Sequence, residues 1–154
     1  MFLDIEYVKK IGIDYNALEY ELVYEDYYFY SDRMVVASTG KLISGLVYEI
    51  SESGHLMYYG YYKNGFEEGE SVYFYENGNV ESRSTMLHGR MHGEEYCYYE
   101  NGKIKSIRHG EFGVILNAKE WDEDGNLIFE KKEPTPDDIK NLNEGRRMVL
   151  ESKR

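Results

Sequence analysis

Five groups of residues in this 154-residue chain have types and spacings that could do chemistry. His88 and His92 stand four apart, which on a helix would put two imidazoles on one face, as a metal site needs. Cys97, the single cysteine, could act as a nucleophile beside a distant histidine. Glu67-Glu68 and Glu94-Glu95 are paired carboxylates of the kind used as general acid and base. Asp122, Glu123 and Asp124, followed by Gly125, could hold a cation weakly through oxygens. Residues 19–32, EYELVYEDYYFYSD, interleave five acids with five tyrosines and contain no base.

The elements that must position these groups are set by glycine. Gly45, Gly69 and Gly93 form one series with a 24-residue period; Gly54, Gly78 and Gly102 form a second, and Gly65, Gly89 and Gly113 a third. Three series in one phase describe a stack of small β units, and an extended stack is more often a binding surface than an active site. In the unit from Gly69 to Gly93, Val72, Tyr73, Phe74 and Tyr75 are β-formers. Asn77-Gly78 then suits the positive φ angles of a type I′ hairpin. Residues 80–86 read as the return strand, and Leu87-His88-Gly89 closes the unit.

This frame accounts for four of the five groups. Gly89 and Gly93 break helix, so His88 and His92 fall in a turn, with no third ligand evident. Cys97 takes the strand slot that Tyr73 fills one unit earlier and reads as a small packed side chain. Adjacent strand residues point to opposite faces, so the paired glutamates read as solvated charges. Residues 122–124 occupy the turn position of the other units. The glycines precede no helix, which excludes a phosphate loop. No catalytic residue, metal site or cofactor is expected.

The ends of the chain are less regular. The fourth unit is worn: Asn117 stands where the first glycine series would continue, and Gly125 comes one residue early. Upstream, residues 27–30 and 34–37 read as a divergent hairpin turning at Ser31-Asp32-Arg33, with the next turn at Thr39-Gly40-Lys41. Alternation of Phe2, Ile5 and Tyr7 allows a strand, and residues 15–24 fit a strand or a short helix. Thr135-Pro136-Asp137-Asp138 has the signature of a helix start: a capping hydroxyl, proline at the first position and acids in the first turn. Ile139, Leu142, Met148, Val149 and Leu150 give partly helical apolar spacing, Gly145 weakens it, and the bases near the end suit a helix C-terminus. Such a helix would cover the open end of the sheet, where bare strand edges invite aggregation. The expectation is a mainly β chain: a single-layer antiparallel meander over residues 1–134 and a C-terminal capping helix over 135–154.

Composition narrows the partners. The net charge is −11; residues 1–70 carry −8, residues 71–134 carry −4 and the remainder +1. That disfavours nucleic acid, whose phosphates need a basic patch, and favours a basic partner through steering. Seventeen tyrosines supply rings that bury area while their hydroxyls seek partners, which suits a thin sheet. One cysteine excludes an intrachain disulfide. The opening MFLDIEYVKK lacks the apolar run of a signal peptide, and no stretch approaches the ~20 apolar residues of a membrane span. A cytoplasmic setting is expected.

The segments YFYENG at 73–78 and CYYENG at 97–102, repeated in phase, resemble MORN-type repeats, and more specifically the variant MORN repeat of bacterial antitoxins and immunity proteins. The resemblance covers roughly residues 45–128, with 27–40 as an extension; the short fourth unit and the N-terminal stretch depart from it. It implies an antiparallel β meander without a catalytic centre, and a role in binding and silencing a cognate toxin. A MORN-type structural adaptor is the alternative; lipid association fits poorly with the acidic balance.

Two features then qualify as partner-binding. One face of the sheet carries Tyr48, Val72 and Tyr96 with Ile50, Phe74 and Tyr98, stacked from unit to unit. The other is less uniform and places Tyr73, Tyr75 and Tyr99 where interface anchors would serve. The second feature is the acidic tyrosine stretch, with Glu21, Tyr24, Glu25, Asp26 and Tyr28. Charge and stacking together would mimic nucleic acid to a basic toxin. The chain would act as a monomer or an edge-paired dimer.

Overall fold

The computed structural model describes residues 2–25, 29–36 and 39–152, with side chains described for 2–18 and 39–151. A short helix α1 (Ile5–Ile11) is followed by β1 (Ile13–Asp14), a 3₁₀ turn (Tyr15–Ala17) and the strands β2 (Leu18–Glu25) and β3 (Phe29–Val36). Eight strands then run in sequence: β4 (Gly45–Ile50), β5 (Leu56–Lys63), β6 (Phe66–Phe74), β7 (Val80–Leu87), β8 (Arg90–Tyr98), β9 (Ile104–Glu111), β10 (Val114–Trp121) and β11 (Leu127–Lys131). The helix α2 (Pro136–Ser152) closes the described chain. β4 to β11 form an antiparallel meander, and β1 adds a parallel ninth strand beside β4, so the sheet is mixed; β2 and β3 form a separate hairpin.

The two hairpin ends of each unit use different turn chemistry, and not in the order the sequence suggests. At Glu76-Asn77-Gly78 only Gly78 has positive φ, 87°. Its N–H donates to the Tyr75 carbonyl at 2.9 Å and the Tyr75 N–H donates to Asn79 at 2.8 Å, a type I turn completed by a left-handed glycine. The Asn77 side-chain oxygen accepts the Asn79 N–H at 2.9 Å, which locks the turn. The type I′ turns lie at the opposite ends, Asn64-Gly65, His88-Gly89 and Phe112-Gly113, with first-residue φ angles of 50°, 50° and 52°. A left-handed histidine or phenylalanine is strained. Ring packing offsets this: His88 lies edge-on to Phe66 with centroids 4.9 Å apart, and Phe112 on His92 at 4.6 Å.

The N-terminal segment is helical where alternation allowed a strand. Asp4 caps α1 by accepting the Tyr7 N–H at 2.8 Å, and Val8 is buried on the sheet with Leu46, Tyr59, Val72 and Phe74. Local capping and the burial of Val8 outweigh a short alternation. On the opposite face Ile43, Val47 and Tyr58 form a second cluster with Ile13, Tyr15, Leu18 and Tyr62. The sheet is thus covered on both faces near β4 and β5 rather than being a bare single layer throughout. The upstream hairpin exists with a different register: Ser31, Asp32 and Arg33 lie within β3, opposite Val23, Leu22 and Glu21. Eight consecutive cross-strand pairs make strand of what a worn turn motif suggested.

At the C-terminus Thr135 and Asp138 cap α2 reciprocally. The Thr135 Oγ1 accepts the Asp138 N–H at 3.2 Å, and the Asp138 carboxylate accepts the Thr135 N–H at 2.6 Å. Lys131 Nζ donates to the same carboxylate at 2.7 Å and to the Ile115 carbonyl at 2.7 Å, tying the helix start to the sheet. Arg146 pairs with Glu111 at 2.9 Å rather than serving the helix end. Of the apolar helix residues only Leu142 is buried, and Ile139 and Leu150 face outward. The helix lies against β10, so it does not cover the open edge: β11 presents Leu127, Ile128 and Phe129 at 50%, 63% and 49% exposure.

Gly145 is required by close approach rather than tolerated, because an added Cβ would stand 2.8 Å from the Phe112 Cβ. Gly145→Ala is therefore expected to destabilise by about 1–3 kcal/mol through overpacking, despite a propensity gain of about 1 kcal/mol; an increase in denaturation midpoint would contradict the packing. The Lys131 and Thr135 hydrogen bonds hold the Asp138 carboxyl at about 2, below its ordinary value. A depressed pKa contributes stability that is present above pH ~4 and lost as pH falls through about 2. Asp138→Asn should lower Tm at pH 7 and flatten its fall between pH 4 and pH 2; a parallel fall in both proteins would count against the contact.

Candidate functional site

Residues opposite one another on neighbouring strands share a face, so the register defines continuous rows. On the face bearing α1, one row runs Tyr48, Tyr59, Val72, Arg83, Tyr96, Ile107, Lys119. On the other face a row runs Glu49, Tyr58, Tyr73, Ser82, Cys97, Ser106, Glu120, Phe129. Beside it lies Val47, Gly60, Ser71, Ser84, Glu95, Arg108, Ala118, Lys131. The second face is built of small residues bordered by tyrosines and charges, as its less uniform sequence pattern suggested.

Tyr73 stands on this face 44% exposed, its ring 4.7 Å from that of buried Tyr58. Tyr58 is fixed from below: its hydroxyl donates to Glu67 Oε1 at 2.7 Å and lies 3.3 Å from the Tyr62 hydroxyl, and its ring meets Tyr15 edge-on. Burial, reinforced by the Glu67 charge, pushes the Tyr58 phenol far above its ordinary range, so it acts as a neutral hydrogen-bond donor. Gly60 makes room for it, since a Cβ there would collide with the Tyr58 hydroxyl. Tyr73 thus has a rigid aromatic floor, the condition for an anchor of low ordering entropy.

Tyr75 and Tyr99 are placed differently. The Tyr75 hydroxyl donates to the Tyr98 carbonyl at 2.9 Å, and the Tyr99 hydroxyl to the Trp121 carbonyl at 2.8 Å. These are one contact repeated one unit on, and it bonds unit to unit. Burial raises the Tyr75 pKa, with Glu81 and Glu100 adding to it. Glu21, Tyr24 and Glu25 lie on β2, opposite Arg33, Tyr30 and Phe29 of β3; their side chains, and Asp26 and Tyr28 entirely, lie outside the described residues. β3 approaches β6, which brings that hairpin beside the strand bearing Tyr73.

The groups with apparent chemistry are separated or occupied. His88 packs on Phe66 with neither ring nitrogen hydrogen-bonded, whereas His92 Nδ1 accepts the Phe112 N–H at 3.2 Å. Glu94 meets His109 at 2.9 Å on one face and Glu95 meets Arg108 at 3.3 Å on the other. Cys97 is half-buried between Ser82 and Ser106, and burial pushes its thiol up, away from thiolate reactivity. The Asp122 carboxylate caps its own turn, accepting from the N–H groups of Asn126 and Asp124, which lowers its pKa. No three His, Cys, Asp or Glu side chains converge among the described residues. None of the described helices is long and apolar enough to cross a membrane.

One exposed feature escaped the sequence reading, the Leu127-Ile128-Phe129 run of β11. The available signal was three consecutive apolar residues in a return strand that no further unit follows. A shallow cleft of about 260 Å³ also opens between α2 and the Phe112-Gly113 turn, with Arg90 and Glu144 at its wall.

A stack of 24-residue β-hairpin units is the architecture of a β repeat protein. Residues 67–88 and 91–111 match the MORN repeat variant family. A relative from Bacillus subtilis (strain 168), the immunity protein YwqK, is 31% identical over 128 residues, covering 81% of this chain and 79% of the relative. The chain belongs to this family of MORN-repeat immunity proteins. Neither name denotes an enzyme class. No solved structure matches the chain.

Removing the repeated hydroxyl contact tests its structural role. Tyr75→Phe and Tyr99→Phe should each lower stability by about 1 kcal/mol, roughly 2–4 °C in Tm, by leaving a carbonyl without its donor. Unchanged thermal midpoints would free both hydroxyls for a partner instead.

Proposed function

We propose that this chain is an immunity protein that binds a cognate toxin and silences it by occlusion. The observation that carries the reading is the similarity to the immunity protein YwqK over four fifths of both chains. The net charge of −11 and the acidic tyrosine stretch at 19–32 support a basic toxin surface as the target. Glu21, Glu25 and Asp26 would supply charge for steering, while Tyr24, Tyr28 and Tyr73 would supply aromatic contact area. Tyr75 and Tyr99 contribute ring edges only, because their hydroxyls are used within the sheet. The protein would act in the cytoplasm, where such a toxin would otherwise reach its target. No bond is made or broken: the toxin is covered, and its activity returns on dissociation.

Co-expression with the toxin domain encoded beside its gene measures the protection directly. Survival should rise by orders of magnitude over an empty vector, and the variant Glu21→Lys/Glu25→Lys/Asp26→Lys should slow association about tenfold or more at low salt. Unaltered killing would sink the immunity reading. Capture of non-toxic housekeeping proteins alone would favour an adaptor.

A further inference from the structure

The sheet ends at β11, which pairs only with β10 among the described strands. In every earlier unit the corresponding outer edge is taken by the next strand: β5 by β6, β7 by β8 and β9 by β10. In those pairings Tyr58 meets Tyr73, Ser82 meets Cys97 and Ser106 meets Glu120; Phe129 is the equivalent residue on β11 and meets no strand beyond it. Pro134 and Pro136 then stop the chain from adding a further strand, because neither carries a backbone donor. At the opposite end of the sheet β1 pairs with β4 and α1 packs against it. The β11 end keeps a hydrogen-bonding edge bearing three exposed apolar side chains, an arrangement that soluble proteins ordinarily suppress.

The charges around this edge select its occupant. The adjoining turn carries Asp122, Glu123 and Asp124, with Lys103 donating to the Glu123 carbonyl and not to a carboxylate. Glu123 and Asp124 are exposed, and neither has an ion-pair partner among the described residues. By contrast Lys131 is paired with Asp138, and Lys119 and Lys132 both lie within ion-pair distance of Glu130. Around the run six carboxylates, Asp122, Glu123, Asp124, Glu130, Glu133 and Asp138, stand against four lysines, Lys103, Lys119, Lys131 and Lys132, so the charge beside it is negative overall. A second copy would bring another net charge of −11 against it, and antiparallel self-pairing about Phe129 would set Ile128 opposite Glu130.

We infer that the β11 edge is a docking site for an extended segment of the toxin, one that alternates apolar residues with Lys or Arg and joins the sheet as a tenth strand. This rests on the immunity reading for the partner's identity and adds where and how that partner is gripped. Main-chain hydrogen bonds to β11 would supply affinity, Phe129 would receive the apolar side chains on its face of the sheet, and Glu123 and Asp124 would read the bases.

Two measurements test it. First, isotope-labelled protein is titrated with a synthetic basic strand peptide, KVTVKVTK, and with its acidic counterpart, EVTVEVTE. The basic peptide should perturb amides of residues 127–131 selectively, and Ile128→Lys should weaken its binding at least tenfold while Ile128→Thr does not. Both variants sit at an exposed position and should keep the wild-type Tm. Equal response to the acidic peptide, or perturbation elsewhere only, overturns the site. Dimers in light scattering that Ile128→Lys dissolves also overturn it, since a second copy would then own the edge. Second, hydrogen exchange is compared for the free protein and its toxin complex. Protection of residues 127–131 is expected. If the toxin binds and those amides stay unprotected, the edge proposal fails and immunity stands. If no toxin binds while the basic peptide still docks, the immunity reading fails and the edge stands.

Discussion

Each unit of this sheet is held to its neighbour by hydrogen bonds that recur with the repeat. The Gly65 N–H donates to Ile43, Gly89 to Glu67 and Gly113 to Met91, all at 2.8–2.9 Å. At the other ends of the hairpins Tyr75 and Tyr99 reach the carbonyls of Tyr98 and Trp121, and Asn77 and Asn79 share the Glu100 carbonyl. Beyond β6 the sheet has little cover, so cohesion must run along the stack, where each unit satisfies the polar groups of the next. This is why tyrosine suits the strands: its ring covers small residues and its hydroxyl crosses to the next unit.

The same constraint uses up most of the reactive-looking side chains. Asp122 closes a turn, Cys97 fills a strand slot, and Glu94 and Glu95 pair across opposite faces. What is left for partners lies where the repeat is interrupted. At one end irregular sequence folds into α1, β1 and the β2–β3 hairpin, which bury Val8 and Tyr58 on the two faces and carry the acidic tyrosine stretch. At the other the repeat stops at two prolines, with the β11 edge unpaired among the described strands.

Legibility in the sequence followed the distance over which the deciding interactions act. The three glycine series were readable because each marks a backbone requirement at its own position, left-handed φ at Gly78 or Gly89 for example. The start of α2 was readable because Thr135 and Asp138 cap within three residues. The assignment of turn types was not: His88 and Phe112 adopt left-handed φ only because Phe66 and His92, twenty or more residues away, pack their rings. The helix at residues 5–11 was masked by a short alternation whose burial depends on where β4 to β6 lie. Of the tyrosines proposed for binding, Tyr73 stands on the surface as the strand pattern implied, whereas the hydroxyl bonds of Tyr75 and Tyr99 depend on the stacking distance between units.

Residue order alone determined the period, the antiparallel meander and the acidic balance, because periodicity, turn chemistry and charge are local sums over the chain. Only the tertiary structure decided which hydroxyls are consumed between units, that Gly145 answers to Phe112, and that α2 lies against β10 while the β11 edge stays open. Those outcomes turn on contacts between residues far apart in sequence, whose geometry exists only once the units have stacked.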